Sequence, residues 1–138
     1  MITNFEKITI ELTEKEENLV PVFVARFRNK PGRENIVTNK KMIAGIEKVH
    51  GIKLSEPRIR KIVQFIRINN LLPGLVGVSN GYFLTKDTNE LESWIESMKQ
   101  RENSIRESRI RAENDLDIMK QKKFETQNNE KQSTINFE

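Results

Sequence analysis

Apolar and polar positions repeat with two different periods along this chain. Ile8-Thr9-Ile10-Glu11-Leu12 alternates residue by residue, as a short half-buried strand does. From Leu19 the period lengthens: Leu19, Val20, Phe23, Val24 and Phe27 recur at helical spacing and give a helix one buried stripe. Thr13 followed by Glu16 is a capping box that starts this helix. Pro21 removes a donor inside it and predicts a kink, and Asn29-Lys30-Pro31-Gly32-Arg33 ends it. Thr38 caps a second, short helix with Met42, Ile43, Ile46 and Val49 on one face and Gly51 as its stop.

Three residues after Gly51, Ser55-Glu56-Pro57 opens a third helix, expected to run from Glu56 to Asn69 or Asn70. Ile59, Ile62, Val63 and Ile66 form its apolar stripe; Arg58, Arg60, Lys61, Gln64 and Arg67 fill the remainder. Two helices joined by a short Gly-containing turn are a helix-turn-helix. Next, LVGVSNGYFLT at 75–85 reads as a hairpin turning at Asn80-Gly81. A two-stranded hairpin is marginal alone, so Leu75, Val76, Val78, Tyr82, Phe83 and Leu84 are expected to cover the helical core, with Ile8–Leu12 as a third strand.

From Asn89 no proline or glycine interrupts the chain. One heptad position reads Leu91, Met98, Ile105, Ala112 and Met119; its partner reads Ile95, Glu102, Arg109 and Leu116. The first series is apolar and the second only at its ends, which describes a weak coiled coil, with Glu102 and Arg109 placed to pair between two chains. The alternative is one solvated helix whose first turns, through Leu91, Trp94, Ile95 and Met98, pack on the preceding domain. The polar segment after residue 120 has no period and is expected to be disordered. The division is therefore a domain over 1–86, a long helix over 87–120 and a tail over 121–138.

Charge sharpens the reading. The net charge is only +4, but residues 26–67 carry 12 basic and 3 acidic side chains, whereas both flanks are net acidic. A basic segment that includes a helix with one apolar stripe has what a major-groove reader needs. Arg58, Arg60, Lys61 and Gln64 are the base-reading candidates, because Arg matches guanine edges and Gln matches adenine. Lys40, Lys41, Lys53, Ser55 and Arg67, with Ser79, Asn80 and Gly81 at the hairpin tip, are the candidates for phosphate.

Catalytic chemistry finds little support. There is no cysteine and one histidine, His50, at a helix end; no Gly-rich phosphate loop or Ser-His-Asp set occurs, so neither enzyme activity, cofactor nor metal is expected. Glu14, Glu16 and Glu17 read as first-turn residues favoured by the helix dipole. No apolar run reaches the length of a membrane span and the N-terminus lacks the basic and apolar regions of a signal peptide. The expectation is a soluble protein of the cytoplasm of a host cell.

The segments LTEKEENLVPVFVARF, NKPGRENIVTNKKMIAGI, SEPRIRKIVQFIRINNLLPGLVGVSNGYFL and NELESWIESMKQR resemble small phage and prophage winged helix-turn-helix proteins, over residues 8–106. The run IRINNLLPGLVGVSNGYFLT carries the likeness furthest, and the KVHGIKLSEP connection is longer than the usual turn. The resemblance implies a mainly α fold with a small β-hairpin, a winged helix-turn-helix followed by a long C-terminal helix. It implies binding of double-stranded DNA, in transcription regulation or as an accessory of replication or recombination. A homodimer through Leu91, Ile95, Met98, Ile105, Ala112, Leu116 and Met119 is expected to double the half-sites read. The competing reading is an adaptor that docks on a host protein complex.

Overall fold

The computed structural model describes residues 11–136, with side chains through residue 128. The chain divides after Trp94 into two compact units. Among the described residues the first unit holds helices α1 (Glu14–Asn29), α2 (Asn39–His50) and α3 (Glu56–Ile68). It also holds strands β1 (Val37–Thr38), β2 (Leu75–Val78) and β3 (Gly81–Leu84). The second unit is drawn from one helix, α4 (Thr88–Asn136). The protein is mainly helical, with a three-stranded antiparallel sheet ordered β1-β3-β2.

Most helix ends of the first unit have a local chemical reason. At the start of α1 the Thr13 hydroxyl accepts from the Glu16 N–H (3.2 Å) while Glu16 Oε1 accepts from the Thr13 N–H (2.9 Å), so the capping box closes from both sides. The helix continues through Pro21, because Leu19, Val20, Phe23 and Phe27 are held in the core on either side of it. Thr38 caps α2 by accepting from the Lys41 N–H, and Gly51, left-handed at φ +66°, stops it.

Helix α3 begins after Ser55, whose side chain makes no capping bond. It ends in a Schellman motif: Asn70 takes the left-handed position at φ +53°, its N–H donates to the Arg67 carbonyl, and the Leu71 N–H donates to the Ile66 carbonyl. Ile59, Ile62, Val63 and Ile66 are at most 1% exposed, so the stripe of α3 is the centre of the core. α1 and α2 each pack on α3 more closely than on one another. Val49 departs from expectation: in the last turn of α2, at the rim of the cleft between α1 and α2, it is 74% exposed.

The third strand is not the one the alternation suggested. Ile8–Ile10 lie outside the described residues, and Glu11 and Leu12 are not in a strand. The partner of β3 is β1, in the register Val37↔Tyr82 and Thr38↔Gly81. β-branched Val37 and Thr38 supply a two-residue strand whose last member also caps α2, so strand and helix share one residue.

The hairpin turn is displaced by one residue as well. Val78 pairs with Gly81, leaving Ser79 and Asn80 at the tip, and none of Ser79, Asn80 and Gly81 has a positive φ. The primed turn that Asn-Gly favours is therefore not formed. Leu75, Tyr82 and Leu84 join the helical core. Val76 and Phe83, paired across the strands, alternate to the other face and are as deeply buried. Arg33 lies over the Phe83 ring at 5.0 Å and its Nε reaches the Glu90 carboxylate at 3.3 Å.

The described residues from Ile95 onward form one continuous helix. It passes residue 120 and continues through the polar segment to Asn136, the last described residue. Ile95, Met98, Ile105, Leu116 and Met119 on the expected seam are exposed, as are Ile110, Ile118 and Phe124, which lie off it. Arg109 pairs within the helix with Glu113, and Arg111 with Glu107, four residues apart in each case. No helix among the described residues is long and apolar enough to cross a membrane.

Candidate nucleic-acid interface

The four basic side chains and the one amide of α3 divide between inward and outward duties. Arg58 does not face solvent. Its Nε donates to Glu16 Oε2 (2.7 Å), its Nη2 to Glu16 Oε1 (2.5 Å) and to the Glu11 carbonyl (3.0 Å). This two-pronged pair has side chains only 14% and 6% exposed and ties α3 to the first turn of α1. The Arg58 partner holds the Glu16 carboxyl below its ordinary value against the opposing effect of burial, and Glu16 in turn raises Arg58. Arg58 is thus a brace between helices, and a base would have to displace Glu16 to reach it.

Lys61 leans the same way. Its side chain is 14% exposed, with Nζ 4.0 Å from the Glu11 carboxylate. Arg67 turns toward the sheet instead of toward a phosphate. Its Nη2 donates to the Leu75 carbonyl (3.2 Å), and its guanidinium carbon lies 5.8 Å from the Tyr82 ring centre and 5.7 Å from that of Trp94. Trp94 Nε1 donates to the Gly77 carbonyl (3.0 Å), two residues along the same strand. β2 is an edge strand, and these two side chains occupy carbonyls that would otherwise lie open to pairing. Desolvation lowers the Arg67 pKa from its ordinary value and raises that of Tyr82, the neighbouring charge opposing both effects.

Arg60 and Gln64 remain outward. They stand four residues apart on the side of α3 away from its buried stripe; the Arg60 side chain is 48% exposed, with Glu56 at 3.6 Å as a loose partner. Of the phosphate candidates, Lys40, Lys41 and Lys53 are exposed and in no ion pair among the described residues, although Lys41 lines the cleft between α1 and α2. Ser55 is half-buried. At the hairpin tip Ser79 and Asn80 are exposed, but the Asn80 carbonyl accepts from the Asn39 N–H (2.8 Å), so the tip is tied to the start of α2. Gly81 is buried against β1.

Charge type and helical spacing identified Arg60 and Gln64; they could not reveal that Glu16, 42 residues away, claims Arg58. Packing of Trp94 on the preceding domain was one of the two readings of the long helix, but its bond to Gly77 and its place beside Arg67 were not legible. Among the described residues no group of His, Asp and Glu side chains is arranged to hold a metal ion. No protein-family model matches the chain, and neither the curated proteins nor the solved structures contain a match.

Proposed function

We propose that the first unit is a winged helix-turn-helix that binds duplex DNA, with α3 as recognition helix. The order α1-β1-α2-α3-β2-β3 and the sheet order β1-β3-β2 support the reading, since each element then has a place around one three-helix core. The observation that carries it is the burial of the whole α3 stripe, which presents Arg60 and Gln64 outward on a rigid helix. Arg60 reads a guanine edge and Gln64 an adenine edge, while Lys40 and Lys53 neutralise phosphates. The exposed apolar residues of α4 from Ile95 onward serve a homodimer, which supplies the second half-site. In this reading the protein regulates transcription or assists phage replication or recombination.

Selection from a random oligonucleotide pool, followed by anisotropy titration at several salt concentrations, tests this. Arg60→Ala is expected to cost about 1–3 kcal/mol on the selected site and to relax one base position. Lys40→Ala should weaken all duplexes alike and reduce the salt slope by about 0.9. Absence of any retained duplex at low salt sinks the proposal. Native mass is expected to show a dimer that Ile105→Glu dissociates.

A second reading is favoured by one specific finding: Arg33, Arg58, Lys61 and Arg67 of the basic segment all have partners within the molecule, although Arg33 and Arg67 remain exposed. An adaptor that docks on a host protein needs no more free charge than remains. A stoichiometric protein partner captured from nuclease-treated lysate, without retained duplex, decides for it.

A further inference from the structure

The cleft between α1 and α2 is a cavity of about 290 Å³. Its walls are Phe23 and Phe27 from α1 and Met42, Gly45 and Val49 from α2. Two features keep it open. α1 and α2 lean on α3 rather than on each other, and at Gly45 an added Cβ would find nothing within 4 Å. A helix interior is an unfavourable place for glycine, so leaving this position without a side chain sacrifices both helix propensity and packing.

The charged members of the lining, Arg26 and Lys41, have one sign. Arg26, Lys41 and His50 are its titratable side chains, and no carboxylate is among them. Arg26 Nη1 is shut from solvent and has no hydrogen-bond acceptor among the described residues. A guanidinium N–H in that condition has lost its water and gained nothing in exchange; an acceptor in the cleft would relieve it once the side chain turns Nη1 toward the opening. The volume lies at the small end of the range for ligand sites, too small for a nucleotide or a helix of a partner protein, and the walls are apolar.

We propose that this cavity binds a small monocarboxylate with an apolar body, an aliphatic acid of about eight carbons. The apolar chain lies between Phe23, Phe27 and Met42, and the carboxylate accepts from Arg26, with Lys41 adding charge. The site uses none of the base-reading residues, so it stands whether or not α3 reads DNA.

Calorimetric titration of the full chain with octanoate tests it, with 1-octanol as a neutral probe of the same length and circular dichroism to confirm folding. Octanoate is expected to bind saturably at one site per chain and at least tenfold more tightly than octanol. Arg26→Met should weaken octanoate at least tenfold and leave octanol within twofold; Arg26→Gln serves the same purpose if the methionine variant does not fold. Gly45→Leu, a substitution into open space at a helical position, should abolish binding of both probes without loss of helix. Absence of saturable octanoate binding, equal affinity for the two probes, or indifference to both variants overturns the assignment. So does a dimer that Gly45→Leu dissociates while octanoate fails to bind, which would give the cleft to a second copy of the chain.

Discussion

Arg58→Met is expected to destabilise the first unit by about 3 kcal/mol, because it leaves the Glu16 carboxylate buried beside an apolar side chain. Urea denaturation measures the loss, which is a large share of the stability of a domain this small. The pH dependence should flatten. In the wild type Arg58 holds the Glu16 pKa below its ordinary value of 4.5, so the pair contributes fully above that pH and its contribution fades as pH falls through the folded value. In the variant the largest cause of that depression is gone, and burial opposes the Thr13 hydrogen bonds that still favour the carboxylate, so acidification should cost the variant less stability than it costs the wild type. Glu16→Gln placed on Arg58→Met should recover much of the loss at neutral pH, and the non-additivity measures the coupling. Where the variant is folded, its affinity for duplex should match the wild type within about threefold, less than 1 kcal/mol. An unchanged melting curve with lost affinity would return Arg58 to the base-reading set.

That contrast shows what kind of information a linear pattern holds. The stripe Ile59, Ile62, Val63 and Ile66, the Thr13–Glu16 box and the Gly51 stop depend on residues at most a few positions apart, and the structure bears them out. Helical spacing also assigned Arg60 and Gln64 to an exposed face. The fates of Arg58 and Arg67 depend on partners brought close only by tertiary folding: Glu16 on α1, and Tyr82 and Trp94 beyond the hairpin. Composition counts such arginines as free cations because a solvated guanidinium and a braced one are spelled alike. β1 escaped notice for another reason. Two residues cannot display a period, and Thr38 already carried a legible role as a cap. Val49 followed the helical period yet lies where the core has ended, so periodicity correctly assigned its face but not its depth.

Gly81→Ala is expected to cost about 3 kcal/mol, the upper end of the range for overpacking, whereas Ser79→Ala and Asn80→Ala should each cost less than about 1 kcal/mol. Asn-Gly suggested a glycine needed for turn conformation, but Gly81 has no positive φ and is the first residue of β3. Its need is space. A Cβ there would collide with the Val37 carbonyl oxygen and lie 2.8 Å from Thr38 Cα, and both obstacles are backbone that cannot rotate aside. Relief requires β1 to draw back from β3, breaking the Thr38↔Gly81 pairing. Because Thr38 also caps α2 and the Asn39 N–H donates to the Asn80 carbonyl, the start of α2 would shift with it. Amide spectra of Gly81→Ala should therefore change along β1 and the first turn of α2, while the centre of α3 stays nearly as it was. At the tip the backbone carbonyl of Asn80 accepts from the Asn39 N–H, a bond that alanine preserves. The opposite ranking, with Asn80→Ala severe and Gly81→Ala mild, would mean that the hairpin closes through a primed turn centred on Asn80-Gly81. Duplex affinity offers an independent check: if the tip only positions the domain, Gly81→Ala should lower it in proportion to the fraction unfolded and no further.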